Sequence, residues 1–288
     1  MRVIAIQFKG YRQDFLSSQN HLYELIELAL QQNANLVVTP EMSCSQYLFD
    51  HATRAKAFAV DKDSAWIMRL CTLIQNYQAT LVVGVIEIDR QDGDYLYNSA
   101  AVIQADGHCF FYRKRLLFDA DYTWAQNGNS QYPLASYDVN IDQTETSVTH
   151  NPIKYDLPVK TTDYPIFEVN GYRCTVGICM DLNDDHLIDF CIQSQIEILA
   201  FPTNWLNENH NVYNYWAYRL QDSQVFLVAA NTYGKENWPE YPEAVRQVEF
   251  RGESAIIDVV NYQLLAVAPL LGDHMIQADL PSKLDQNP

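Results

Sequence analysis

An α/β sandwich with mixed sheets is the fold class this chain predicts, on three observations. Strand and helix patterns alternate through its first third, the middle turns to hairpin patterning, and alternation resumes afterwards. That combination needs strand pairs of both kinds, which a purely parallel sheet does not supply.

The elements follow in order. "VIAIQF" reads as a strand, and an amphipathic helix after it carries Leu22, Leu25, Ile26, Ala29 and Leu30 on one stripe. "NLVVTP" is a buried strand stopped by Pro40. A second helix sets Ile67, Leu70, Cys71 and Ile74 at helical spacing and leads into the strand "ATLVVGVIEI". Two further strands, "LYNSAAVIQ" and "HCFFYRKRLLF", flank the turn Asp106-Gly107. Beyond come the strand "CTVGI", a helix from about Asp184 to Gln193, and the strand "IEILAFP". A helix around Trp216 to Ser223, the strand "VFLVAAN" and the apolar stretch "SAIIDVVNYQLLAVAP" complete the pattern. Asn129 to Asp163 differs: it is polar, with Pro133, Pro152 and Pro158 and little periodicity. It reads as an insertion near a site. With no repeat and no linker, residues 1–288 are expected to form one domain, with a polar insertion at about 129–163.

Composition narrows the function. A net charge of −17 argues against nucleic acid and against an anionic membrane surface as partners. No apolar run reaches the ~20 residues that span a bilayer. The start, "MRVIAIQFKG", is too short for a secretory core and has no cleavage site, so the chain is expected in the cytoplasm. The six cysteines show no CxxC pair or regular spacing, which favours free thiols over a zinc site or a disulfide framework. The histidines lack HxxxH and HExxH spacing. "DLNDD" starts like a calcium loop, but has His186 where glycine is needed and Ile192 where glutamate is needed. No metal is expected.

Three polar residues stand at the ends of apolar strands. Glu41 follows "LVVTP"; read alone, it is a solvated glutamate opening a loop. Lys114 shares a face with Phe110, Tyr112 and Leu116 under strict alternation, whereas Arg113 and Arg115 point the other way. It is otherwise one member of a basic surface run. Cys179 ends "TVGI" just before a helix rich in early acids, so its sulfur is expected near a helix N-terminus, where the dipole favours thiolate. The bland alternative is a buried core thiol. His186 is close in sequence but reads as a surface residue, and the acids around it as caps. The combination of Glu, Lys and Cys has a chemistry of its own. A carboxylate can take the thiol proton and return it to a leaving amine, and an ammonium stabilises thiolate and oxyanion. That set suits attack on an amide or nitrile carbon, giving a thioester that water hydrolyses.

"VVTPEM", "YRKRLLF" and "VGICMDL" resemble the three motifs of the nitrilase, or carbon–nitrogen hydrolase, superfamily. The pieces between them, "GVIEI", "LYNSAAVIQADG", "ILAFPTNW", "RLQDSQVFLVAAN" and "RGESAIID", agree along nearly the whole chain. The resemblance implies a four-layer α-β-β-α sandwich, cofactor-free, that assembles as a homodimer or larger. It implies Glu41 as general base, Lys114 as stabiliser of the oxyanion, Cys179 as nucleophile, and the Met180 backbone N–H in the oxyanion hole. Asn204 and Trp205 fall where such proteins line the pocket; core packing is the competing role for Trp205. Two departures stand out. The position of the usual second glutamate, counted back from Gly128, is Asp121, with Asp119 as a substitute. Gln46 replaces the usual glycine after the first motif, so the turn there is expected to be built differently.

"YRKRLLFDADYTW", "GICMDL" and "PTNWLNE" resemble more narrowly the fungal amidases that deamidate Asn or Gln at a polypeptide N-terminus. A small-molecule amidase for dicarboxylic monoamides or carbamoyl compounds is the alternative. It needs a fixed cation, for which Arg173 and Arg219 are candidates although both look structural. An inactive scaffold is the non-enzyme reading, and the presence of all three triad residues argues against it.

Overall fold

The computed structural model describes residues 1–91, 93–128, 164–208, 210–237 and 247–283. The expected insertion at 129–163 lies outside the described residues.

Alternation of apolar side chains sets the layers. The first sheet contains β1 (Arg2–Gln7), β2 (Leu36–Val38), β3 (Thr80–Asp89), β4 (Tyr95–Ile103) and β5 (Cys109–Arg113). The second contains β6 (Phe167–Val169), β7 (Tyr172–Val176), β8 (Ile198–Thr203), β9 (Phe226–Asn231) and, after a separate hairpin of β10 (Tyr233–Asn237) with β11 (Gln247–Arg251), β12 (Ala255–Asp258) and β13 (Gln263–Val267). The last strand, β14 (His274–Asp279), returns to pair antiparallel with β1, giving the order β14-β1-β2-β3-β4-β5 against β13-β12-β9-β8-β7-β6. β1, β2 and β3 pair in parallel, as do β7, β8 and β9; the other pairs within the sheets are antiparallel.

The period of two divides each strand between two cores. Val3, Ala5, Leu36, Val38, Val82, Ala100, Val102 and Tyr112 face the second sheet, where Val176, Ala200 and Val228 meet them. Their neighbours Ile4, Ile6, Val37, Leu81, Val83, Ala101 and Ile103 face helices α1 (Phe15–Gln31) and α3 (Ala65–Tyr77); a short α2 (Ala52–Lys56) lies between these in sequence. Helices α4 (Asp185–Gln193) and α5 (Val212–Arg219) pack Leu187, Ile188, Val212 and Trp216 against the second sheet. The result is the α-β-β-α sandwich. Among the described residues no helix is long and apolar enough to cross a membrane.

Three boundaries differ from the sequence reading. β5 stops at Arg113 instead of running to Phe118, because Asp181 captures the N–H groups of Arg115 and Leu116 (3.0 and 2.8 Å) and turns the chain out of the sheet. α5 begins at Val212, one turn before Trp216, since the buried pair Val212 and Trp216 (i, i+4) anchors it, and it ends before Ser223. Cys179 does not adjoin α4: a 3₁₀ turn, Cys179–Asn183, intervenes, and Asp184 caps α4 through His186 N–H (3.0 Å). The strands β6, β10, β11 and β14 and the short α2 carry too little pattern to be read in advance.

The two sheets put the carboxyl ends of β2 and β7 side by side, the edge where open α/β sheets hold reacting groups. Gly84 is needed there. A Cβ on it would sit 2.2 Å from Pro40 O and 2.6 Å from Glu41 Cα, both backbone atoms that cannot swing aside. Gly84→Ala is expected to cost about 1–3 kcal/mol of stability in chemical denaturation, with a loss of turnover because the displaced segment carries Glu41.

Candidate active site

Each predicted residue arrives from the end of an apolar element. Glu41 follows β2 through Pro40. Lys114 follows β5 on the same alternation that points Phe110 and Tyr112 at the second sheet, so it enters the gap between the sheets. Arg113 points the other way, onto Glu87 and Asp89 (2.6 and 2.7 Å). Cys179 follows β7 at φ = +45°, in a left-handed conformation that only a fixed surrounding holds on a non-glycine residue.

Lys114, at 0% exposure, donates to Glu41 Oε1 (2.7 Å) and to Asp121 Oδ2 (2.6 Å). Its ammonium has three N–H groups, and these bonds use two. Asn98, also fully buried, donates from Nδ2 to Glu41 Oε1 (2.7 Å) and to Asp121 Oδ1 (3.0 Å). The Phe118 N–H adds a bond to Asp121 Oδ2 (3.0 Å). Glu41 Oε2 is buried and has no partner among the described residues. Asp121 therefore occupies the place at the lysine that the longer glutamate was expected to fill, and Asp119 is exposed.

Burial sets the proton affinities. It raises Glu41, with the charge of Asp121 adding to the effect and Lys114 and Asn98 opposing it. Burial works against the Lys114 ammonium, but the charges of Asp121 and Glu41 outweigh it and keep the lysine protonated. Burial pushes the Cys179 thiol up to about 12, and Glu41 adds to this; Lys114, the Thr203 hydroxyl and the Asn204 backbone N–H pull it down. The expectation of a thiolate favoured by a helix dipole is thus corrected. The sulfur is buried and sits at a short 3₁₀ turn instead of at the head of α4, so it rests as a thiol beside an ionised lysine.

The remaining predicted residues divide. Asn204 brings its N–H to the sulfur, and its Oδ1 is buried with no partner among the described residues. The Trp205 ring packs in an aromatic cluster with Phe201, Tyr215 and Trp216, the core role that competed with the pocket role. Met180 is half-buried and follows Cys179 in the turn; its sulfur accepts from Asn183 Nδ2. Arg219 is committed to Asp185 and Leu182 O, and Arg173 is exposed near the start of β7, at the other end of that strand from Cys179. Gln46 adopts the left-handed conformation itself (φ = +63°), so the turn keeps a shape that glycine would supply and the side chain instead accepts from Arg12 Nε (3.0 Å). Among the described residues no group of three His, Cys, Asp or Glu side chains is arranged to hold a metal.

Three supporting residues escaped the sequence reading. Asp181, taken for a cap, is fully buried and joins the two halves of the site: Oδ1 accepts from the N–H of Arg115 and Leu116, and Oδ2 from Ile178 N–H (2.9 Å) and the Tyr112 hydroxyl (2.7 Å). An acid two residues past a strand-end cysteine, between apolar neighbours, was the available signal. Asn98 breaks the apolar face of β4 in the same way. Glu236 comes from the β10–β11 hairpin. It accepts from the N–H of Tyr47 (3.0 Å) and Leu48 (2.8 Å) and pairs with Arg12 (2.6 Å), fixing the loop after Glu41; nothing local marks it. That loop delivers Tyr47, whose ring lies 5.8 Å from Lys114 Nζ.

The sequence profile described as carbon-nitrogen hydrolase matches residues 2–286. No curated protein matches. Among solved structures, an amidase from Nesterenkonia sp. is similar at 15% identity and a TM-score of 0.70, covering all of this chain and 93% of its own. A glutamate-to-glutamine variant of the amidase from Nesterenkonia sp. AN1, carrying acrylamide added by Michael reaction at its active-site cysteine, is 16% identical, with a TM-score of 0.70 and coverage of 100% and 96%. A cysteine-to-alanine variant of the same amidase in complex with butyramide is 15% identical, with a TM-score of 0.68 and coverage of 100% and 94%. At such identities the likeness is one of fold.

Asp181→Ala is expected to lower stability by about 3 kcal/mol or more, because it leaves four donors without their acceptor, two of them fully buried and two half-buried. Urea titration of purified protein measures this; a change within about 0.5 kcal/mol would show that Asp181 does not hold the two loops.

Proposed function

The chain belongs to the carbon-nitrogen hydrolase family, enzymes of C–N bonds other than peptide bonds, and we propose that it hydrolyses a carboxamide through a thioester on Cys179, releasing ammonia, with the N-terminal Asn or Gln of a peptide as substrate. The observation that carries the chemistry is the buried Lys114 bonded at once to Glu41 and Asp121 beside a buried thiol. Glu41 takes the Cys179 proton as sulfur attacks the amide carbon. The resulting oxyanion is met by the third N–H of Lys114 and the backbone N–H of Met180. The protonated Glu41 then gives its proton to the nitrogen, the C–N bond breaks and ammonia leaves. Glu41 next takes a proton from water as it attacks the thioester; the C–S bond then breaks, Glu41 returns that proton to the sulfur, and the carboxylic acid product leaves the free thiol behind. A resting thiol makes the base necessary. Its raised pKa brings Glu41 closer to the pH at which it must both accept and donate.

The choice of substrate rests on "YRKRLLFDADYTW", "GICMDL" and "PTNWLNE". It also rests on the arginines: a dicarboxylic monoamide needs a fixed cation, and neither Arg173 nor Arg219 is directed at Cys179. A small aliphatic amide is the second reading, favoured by the butyramide and acrylamide held by similar structures.

Ammonia release from peptides beginning with Asn or Gln, their N-acetylated forms and free small amides separates these readings. Free-amine peptides alone should be turned over, and Cys179→Ala should abolish the reaction; turnover of butyramide with none of the peptides would replace the substrate and keep the mechanism. The pH profile is a second check. A base must be ionised, so kcat/KM should be full above the Glu41 pKa and fall as pH drops through it, at a pH above the ordinary 4.5. Glu41→Gln should lose about 10²–10⁴-fold in rate.

A further inference from the structure

Four groups close a ring at the site: Glu41 Oε1, Lys114 Nζ, the Asp121 carboxylate and Asn98 Nδ2, each bonded to the next at 2.6–3.0 Å. The two donors alternate with the two acceptors, and all four side chains are buried. Catalytic proton transfer accounts for Glu41, and charge balance for Lys114 and Asp121. It does not account for Asn98, a neutral amide on the inward face of β4 where its neighbours Ala100 and Val102 are apolar. Both acceptors of the ring are already held by the lysine, so an apolar residue would have filled the space without leaving either carboxylate free of a partner.

We infer that Asn98 is a positioning residue for the proton transfer: with Lys114 it binds Glu41 Oε1 from two sides, and so leaves Oε2 as the one atom that exchanges a proton with Cys179. A carboxylate held at one oxygen by one donor can turn about its last torsion and swap its oxygens. Held at Oε1 by two donors it cannot turn without losing both bonds. Oε2 is the buried oxygen without a partner, as this role requires. The amide of Asn98 carries no titrating group, so it restrains both carboxylates without offering either a proton. Its bond also favours the ionised form of Glu41. The backbone of Asn98 joins the same assembly, since its carbonyl accepts from Lys114 N–H (2.8 Å) and sets the height of the lysine on the sheet edge.

The inference rests on Glu41 being the base, and the test separates the two. Asn98→Ala and the isosteric Asn98→Asp are assayed for kcat and KM from pH 4 to 9, beside Glu41→Gln, with folding checked by circular dichroism. Asn98→Ala should lower kcat about 10–100-fold with little change in KM, and move the acid limb of the profile up by about one pH unit, the size of one lost charge-assisted hydrogen bond. Asn98→Asp keeps the shape but removes both N–H donors of the amide and adds negative charge, so its acid limb should move at least as far. Folded variants with the wild-type profile would overturn the positioning role. Failure of both to fold would overturn it too, since that outcome marks a structural residue. An active Glu41→Gln would instead remove the base assignment beneath it.

Discussion

A lysine with no solvent exposure constrains the rest of the molecule. Its charge is tolerable between the sheets only with counter-charges in contact, and Glu41 and Asp121 supply them at 2.7 and 2.6 Å. Removing the lysine would leave two buried carboxylates facing each other without a counter-charge, and breaking a buried pair in this way costs about 3–5 kcal/mol. Replacing the whole cluster with apolar groups costs little or stabilises. A sandwich whose core needed only filling would therefore not hold these three groups together, and their presence points to chemistry. The geometry follows from this demand: β2 must end before Pro40, β5 must stop at Arg113, and Gly84 must let the Glu41 backbone approach it closely.

The cysteine reaches the lysine from the other sheet, and Asp181 is the link. One carboxylate ties the backbone before Cys179 to the backbone after Lys114, so the nucleophile and the cation cannot drift apart without breaking its bonds. Burial leaves the thiol protonated, which lowers its reactivity toward stray electrophiles and leaves activation to the proton transfer itself. The third contribution comes from the β10–β11 hairpin through Glu236, which fixes the loop that delivers Tyr47. Stability is spent at all three points on pre-organisation.

Much of this was legible in the sequence because it depends on period-two patterning and on strand ends. Alternation in "FFYRK" points Lys114 inward while Arg113 points out, and the structure keeps both directions. Glu41 and Cys179 could be found because each interrupts an apolar run. Asp181 stood out only as an acid between apolar neighbours and Glu236 not at all, because most of their partners lie far away in sequence and leave no local pattern. The thiol's environment was misread for a related reason. A cysteine before an acid-rich helix looks the same in sequence whether it touches the helix end or is set off by a 3₁₀ turn. Gln46 shows the converse: a missing glycine did not change the turn, because a left-handed residue with a side-chain bond to Arg12 serves instead.

The account turns on a covalent bond between substrate and Cys179. Incubating the protein with a peptide that begins with Gln, quenching in acid within the first turnovers and mapping the digest by mass spectrometry tests that bond directly. The predicted result is an adduct on the Cys179 peptide equal to the substrate mass less one ammonia, absent from the other five cysteines and from Cys179→Ala. Ammonia accumulating while Cys179 stays unmodified, or an acyl group on another residue, would contradict the account.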